Sequence, residues 1–235
     1  MKIIFYCGLG ACLFLSCTND GAGSTAIQNS TTSLYAAKTN TVTTTNPVNP
    51  HDQVGTIYSV LYEGYFPDST RVLYGTLPDI TDYASGEEPF AQLDANNSNL
   101  PPDSAILETI ITTAASDPGL AFSYSALSPD GLASLLGITT ILSQMYESDA
   151  RYQQVYDVIV SYEGEVLSDP QLSATDRDIL LTTMAVVRQD ATGRKPRKRK
   201  DRDWEFSIGH VAATAYGASE SDVSAVLYGL GATFK

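Results

Sequence analysis

The sequence predicts an all-α protein: a single helical domain of about six or seven helices, preceded by an export segment and a polar tether. Apolar residues recur at spacings of three and four over most of residues 49–235, which is the period of an amphipathic helix. Ser, Asp and Asn stand before these apolar runs, and Pro or Gly stands near their ends, as at helix starts and stops. Strand-like alternation of apolar and polar residues never persists for more than a few residues.

The individual helices follow from these start and stop signals. The first begins at Asn49-Pro50, where Asn49 can accept free N–H groups, and Gly64 is its predicted stop. Residues 65–100 are interrupted by Gly, Pro and Asn, so only short helices near 69–74 and 79–84 are predicted there. The later helices are predicted to start at Asp103 (ending at Asp117-Pro118-Gly119), Ser128-Pro129, Ser148-Asp149, the capping box Ser173-x-x-Asp176, Trp204 and, after a division at Gly217, the capping box Ser219-x-x-Asp222.

The N-terminus has the organisation of a secretory signal peptide. Met1-Lys2 supplies a positive charge, and an apolar run follows over residues 3–15. This run is shorter than the roughly 20 residues that a membrane-spanning helix needs. All three cysteines, Cys7, Cys12 and Cys17, lie in this region, so the sequence predicts no disulfide framework in the mature domain.

Cys17 is the predicted lipidation site. Ser16-Cys17 ends the apolar run and resembles the lipobox of bacterial lipoproteins, in which the thiol is acylated. Leu9-Gly10-Ala11-Cys12 fits that motif better locally, but it would leave an apolar core of only about six residues. A plain secretory peptide is the alternative. Acyl chains contribute about 0.8 kcal/mol per buried CH₂, so membrane lipid is the predicted partner of an acylated Cys17.

These signals divide the chain into a signal peptide over 1–16, a disordered lipid-anchored tether over 17–48 and a helical domain over 49–235. Residues 18–50 contain nine Thr, three Ser and five Asn, and their few large apolar residues show no period. Such a stretch cannot bury enough apolar surface to offset its ordering entropy. Its mean reach as a random coil is roughly 30 Å. A glycosylated stalk is the alternative.

Composition and charge exclude several classes of function. The formal net charge of −13 and the isoelectric point near 4.4 argue against a nucleic-acid-binding protein. The chain has only two histidines and three cysteines, so no metal site is predicted. The region near Asp94 has the start of a calcium-loop pattern but lacks its Gly and final Glu. No cofactor is predicted.

A basic run stands out against this acidic background. Seven of the fourteen Lys and Arg residues fall within residues 194–202. Gly193 and Pro196 disfavour a helix start, so the run is predicted to be an exposed loop between two helices. It is a candidate binding site for polyanions such as lipopolysaccharide, and a merely solvated loop is the alternative. The candidate residues are Arg194, Lys195, Arg197, Lys198, Arg199, Lys200 and Arg202.

Catalytic motifs are absent from the sequence, and no catalytic residue is predicted. It has no Gly-x-Ser-x-Gly, His-Glu-x-x-His or phosphate-binding loop. Glu163 and Glu165 lie two apart on a predicted helix and so do not share a face, which favours solvated charge over a carboxylate pair. His51 and His210 have no His or Cys neighbour, so exposed or partly buried positions are expected for both.

Three segments of the body resemble a group of uncharacterised Bacteroidota lipoproteins. Asn46-Pro47-Val48-Asn49-Pro50-His51-Asp52-Gln53-Val54-Gly55 resembles their Asn-Pro-x-Asp-x-Val-Gly-like start, although Tyr58-Ser59 replaces their His-Asn pair. Residues 179–188 resemble a helix before their variable segment, and residues 222–231 resemble their Ala/Gly-rich end. The resemblance implies a lipid-anchored envelope protein and no particular activity.

Together these observations predict a lipid-anchored protein of the bacterial cell envelope, at the outer membrane, that acts as a non-catalytic binding or interaction module. The expected partner is an envelope protein or a glycan. Two alternatives remain open at this point. One is an envelope hydrolase with an unrecognised carboxylate site, and the other is polyanion binding through the basic loop, 194–202.

Overall fold

The protein is all-α in the part of the chain that the structure describes. A computed structural model describes residues 44–65, 76–94, 102–193 and 206–233, and these contain ten helices and no strand. The prediction of six or seven helices was therefore too low. The helices are α1 (Asp52–Tyr65), α2 (Leu77–Ser85), α3 (Glu88–Asp94), α4 (Ser104–Ala114), α5 (Pro118–Phe122), α6 (Pro129–Glu147), α7 (Tyr152–Ser168), α8 (Ala174–Gly193), α9 (Ile208–Glu220) and α10 (Asp222–Thr233).

Several helices start where local capping chemistry predicts. The Asp103 side chain accepts from the backbone N–H of Ala105 at 2.7 Å and begins α4. The Ser128 hydroxyl likewise accepts from the N–H of Gly131 and begins α6. These predictions succeed because a cap depends only on residues within one helical turn.

The capping box before α8 also joins two helices. Ser173 and Asp176 exchange backbone–side-chain bonds of 3.0 Å in both directions, as predicted. The Asp176 carboxylate also accepts from the N–H and the hydroxyl of Ser128, each at 2.8 Å, and so ties the start of α6 to the start of α8. Burial alone would raise the pKa of Asp176, but the hydrogen bonds from Ser173 and Ser128 hold it below its ordinary value.

Other helix boundaries were predicted wrongly. Helix α4 ends at Ala114, before the predicted stop at Asp117. The Asp117 side chain instead caps α5 by accepting from the N–H of Leu120 at 3.0 Å. The division predicted at Gly217 lies inside α9. The two helices are separated at Ser221, whose hydroxyl caps α10 by accepting from the N–H of Ser224 at 3.0 Å. Glycine does not stop α9 because Gly217 lies against α10, where it provides space.

The start of α1 also differs from the prediction. The helix begins at Asp52, and Asn49 is buried with its side chain turned into the body. Asn46, which was assigned to the tether, is buried as well. The packed body therefore begins before residue 49, and residues 44–48 belong to it. The signal peptide and residues 17–43 of the predicted tether lie outside the described residues, as does the predicted helix near 69–74.

Helix α8 occupies the centre of the body. It packs against α1, α7 and α9, and every residue from 179 to 191 is buried. The larger apolar core lies mainly between α4–α9, with Leu77 of α2 and Tyr228 and Ala232 of α10 contributing to it. A smaller core lies between α1, α2, α3 and α10, with Val186 of α8 contributing to it. Among the described helices, none combines the length and the apolar character that a membrane span requires. A helix surrounded on all sides should be apolar throughout, so the charged residues of α8 need an explanation.

Candidate functional site

Three consecutive polar residues near the end of α8, Arg188, Gln189 and Asp190, form the most unusual feature of the body. All three are buried. Successive helical residues project about 100° apart, so Arg188 and Asp190 reach different neighbours. Burying a charge is costly unless the charge is paired and hydrogen-bonded, and so the partners of these residues define the candidate site.

Arg188 is completely buried and meets two carboxylates. Its Nη2 lies 2.6 Å from Oδ1 of Asp52 and 3.2 Å from Oε1 of Glu163. Its Nη1 donates to the main-chain carbonyl of Thr44. The guanidinium is thereby neutralised from α1 and from α7 at once, and it also fixes the chain that precedes α1.

Glu163 has an exposed fraction of 0% and both of its carboxylate oxygens accept hydrogen bonds. The amide of Asn46 donates to Oε2 at 2.5 Å, and the amide of Asn49 donates to Oε1 at 2.8 Å, beside Arg188. The expectation that Glu163 is a solvated charge was wrong. Glu165, two residues later, is exposed as expected.

Residues 44–51 form a segment that we call the strap, because it lies across α7 and α8 and is held by polar contacts. The carbonyl of Thr44 also accepts from Gln189 Nε2 at 3.1 Å, and that of Thr45 accepts from the Tyr156 hydroxyl at 2.7 Å. Asn49 Nδ2 reaches the carbonyl of Leu181 at 3.0 Å. The buried charges of α7 and α8 thus serve to seat the strap on the body.

Asp190 belongs to a second buried cluster, on another side of α8. Its Oδ1 accepts from the Tyr58 hydroxyl at 2.5 Å, and its Oδ2 lies 3.8 Å from Nδ1 of His210. The same hydroxyl lies 3.3 Å from His210 Nε2 and 3.0 Å from Oγ1 of Thr233. Tyr58, Asp190 and His210 are acid–base groups, but all three are buried and face one another. The expected exposed or partly buried position of His210 was therefore wrong.

His51 ends the strap and lies nearer the surface. Its Nε2 is 3.4 Å from Oδ1 of Asp178 on α8, and its Nδ1 is 3.5 Å from Oδ1 of Asp222 at the start of α10. The hydrogen bond to Asp222 is the largest influence on its pKa, which lies above the ordinary histidine value although burial acts in the opposite direction. The side chain of His51 is partly buried, in agreement with the expectation.

The other predicted site residues lie elsewhere in the chain. Cys17 and the basic loop, 194–202, are outside the described residues, and so is most of the calcium-like pattern after Asp94. Within the described ranges, no group of three His, Cys, Asp or Glu side chains is arranged to hold a metal ion.

The sequence did contain a signal for the residues that were missed. Glu163 is four residues after Ile159 and three before Val166, so it stands on the apolar stripe of α7. Arg188-Gln189-Asp190 likewise follows directly on the apolar run Met184-Ala185-Val186-Val187. A charge in line with a buried stripe indicates a buried ion pair, but the identity of its partner is not a local property.

Comparison with known protein families finds none that matches this chain, and comparisons with curated proteins and with solved structures find no similar protein. No activity, substrate or partner is therefore transferred from another protein. The chemistry of the residues themselves is what bears on function.

Proposed function

We propose that this protein is a lipid-anchored protein of the bacterial cell envelope whose helical body is a non-catalytic binding or interaction module. The apolar run over residues 3–15, the Ser16-Cys17 pair and the polar tether support the anchor. Thr18, rather than Asp, follows Cys17, which by resemblance to the sorting rule of other bacteria favours the outer membrane. The proposed partner of the body is an envelope protein or a glycan.

The observation that carries the non-catalytic part of the proposal is the internal use of the buried charges. Asp52 and Glu163 approach the same guanidinium nitrogen and so form one pair of neighbouring carboxylates, the kind of pair that a hydrolase would need. Glu163 is nevertheless fully buried, and its oxygens accept from Asn46, Asn49 and Arg188. Both oxygens of Glu163 therefore help to hold the strap, and the side chain does not reach the surface.

The seat of the strap also suits a tethered protein. The tether would enter the body at Thr44, whose carbonyl accepts from both Arg188 and Gln189. A pull on the tether would therefore act on two part-buried hydrogen bonds, of which the one from Arg188 is charge-assisted and so belongs to the stronger class.

Acylation of Cys17 is the first expected result. Cells that express the full chain and are fed a clickable palmitate analogue should label the wild-type protein and the Cys12→Ser variant, whereas Cys17→Ser should lose the label. The thiol at position 17 is the only one that ends the apolar run, and a lipobox cysteine carries the acyl chains. Labelling of Cys17→Ser together with loss of label in Cys12→Ser would move the anchor to Cys12. Absence of label from the wild type would refute the anchor.

Polyanion binding through the basic loop is a second candidate function, favoured by the concentration of half the chain's cationic residues in residues 194–202. Neutralising Arg197, Lys198, Arg199 and Lys200 to Gln is expected to abolish retention of the protein on heparin or lipopolysaccharide at low salt. Attraction between a cationic cluster and phosphate or sulfate groups is the physical reason, and added salt should reproduce the loss. Equal retention of the wild type and the variant would exclude this function.

A further inference from the structure

The contacts of His51 favour one charge state of its ring. A neutral imidazole has one N–H group, whereas the imidazolium ion has two. Both ring nitrogens of His51 face a carboxylate oxygen, Nε2 facing Asp178 and Nδ1 facing Asp222. If the ring were neutral, one unprotonated nitrogen would face a carboxylate, so the observed arrangement favours the imidazolium ion.

The groups around His51 come from each element that packs against it. Asp178 lies on α8 and is largely exposed, and Asp222 begins α10 and also accepts from the Thr182 hydroxyl at 3.2 Å. Asp52, the next residue in the chain, is held by Arg188. The charged groups that face the ring are therefore acidic, which agrees with the raised pKa of His51, caused first by its hydrogen bond to Asp222.

The position of His51 connects this charge to the strap. Its backbone N–H donates to Oδ1 of Asn49 at 2.8 Å, and Nδ2 of the same side chain donates to Glu163. A displacement of His51 would therefore disturb the Asn49 amide that binds the buried carboxylate. The side chain of His51 keeps an exposed fraction of 21%, so solvent protons can reach it.

We propose that His51 is a pH-sensitive clasp for the strap: as an imidazolium ion it ties the end of the strap to α8 and α10, and its deprotonation loosens residues 44–51 while the rest of the body remains folded. The sign follows from linkage. A group whose pKa is higher in the closed state contributes its full stabilisation below the pKa of the open state, and this stabilisation is lost as the pH rises through the pKa of the closed state. Released strap residues would join the tether and lengthen it.

Hydrogen exchange of the full chain tests the clasp. Protection of the strap amides, corrected for intrinsic exchange, should fall relative to that of α6 as the pH rises from about 5 to about 8, the range of histidine titration. Each unit by which the pKa of His51 exceeds its value in the open state corresponds to a tenfold change in the ratio of open to closed strap. His51→Gln should show low and pH-independent strap protection. The Gln side chain has no positive charge and does not titrate, and its single NH₂ group cannot replace two N–H groups that face two carboxylates.

Two further measurements make the test decisive. The double variant Asp178→Asn/Asp222→Asn keeps the imidazole but removes the facing charges, and it should also flatten the pH dependence. An NMR titration of the His51 ring should give a pKa above the ordinary histidine value. The proposal is overturned if His51→Gln keeps the wild-type pH dependence, or if the ring titrates at or below the ordinary value. Neither result depends on whether Cys17 is acylated.

Discussion

Replacing Glu163 with Gln is expected to lower the free energy of unfolding by about 3 kcal/mol, the lower end of the cost of breaking a buried ion pair, because Arg188 loses one of its two carboxylate partners. The carboxylate accepts from Arg188, Asn46 and Asn49, and it is fully buried. A glutamine keeps the shape but places an NH₂ donor where an acceptor is needed. Arg188 would retain Asp52 as its only carboxylate partner among these residues.

The same helix provides the control for this experiment. Glu165→Gln removes the same charge from an exposed position of α7, and it should change stability by no more than about 0.5 kcal/mol. Urea denaturation followed by circular dichroism measures both variants. Equal stability of Glu163→Gln and Glu165→Gln would show that the buried pair contributes nothing.

A double-mutant cycle separates the pair from the individual side chains. Arg188→Met should also be strongly destabilising, because it leaves Glu163 as a buried carboxylate without its cation. The double variant Glu163→Gln/Arg188→Met should lose less than the sum of the two single variants, since residues in one network are coupled. Strict additivity would contradict the contact between them.

Replacing Gly217 with Ala is expected to destabilise the protein by about 1–3 kcal/mol, the usual cost of an extra methyl group in a packed interior. A Cβ at this position would lie 2.4 Å from the carbonyl oxygen of Ser224 and 2.7 Å from the backbone nitrogen of Ala225. These atoms belong to the backbone of α10 and cannot rotate away as a side chain would. The helices α9 and α10 would have to separate.

Gly55 should behave in the same way at the contact between α1 and α8. Its Cβ would lie 2.3 Å from the carbonyl oxygen of Ala185. Separating these two helices would also disturb Asp52 and Arg188, so Gly55→Ala should weaken the seat of the strap as well as the core.

Two exposed helical glycines serve as controls for both substitutions. Nothing lies within 4 Å of a Cβ built at Gly137 or at Gly164. Alanine at either position should stabilise the protein by about 0.5–1 kcal/mol, because glycine lowers the stability of a helix by about that amount. Thermal unfolding of the four alanine variants should separate them into two pairs. Identical effects at all four positions would contradict the packing contacts.

The sequence predicted those features of the fold that depend on a few neighbouring residues. Asp103, Ser128 and Ser173 begin their helices as expected, because the side chain and the N–H group that it binds lie within three residues. The prediction at Gly217 was wrong because a glycine after an apolar run either ends a helix or admits a neighbouring helix. Only the position of α10 distinguishes these two cases.

The candidate site was the part that sequence reasoning did not predict. Asn46 binds Glu163 across 117 residues of chain, and Tyr58 meets His210 across 152. Glu163 was predicted to be a solvated charge because it does not share a helix face with Glu165. Its place on the apolar stripe of α7 indicates burial, but its partners, Arg188 and the strap, lie far away in the sequence. The site therefore depends on contacts that no local pattern contains.

What the sequence by itself determined is the all-α class and several helix starts, since apolar period and capping chemistry are local. What only the tertiary structure decided is which charges are buried and what they hold. Arg188, Glu163 and His51 lie on three separate segments, and they act together because α1 and α7 pack on α8. A buried charge is stabilised only by a partner that the fold brings to it. The contacts that hold the strap on α7 and α8 are therefore a property of the tertiary structure.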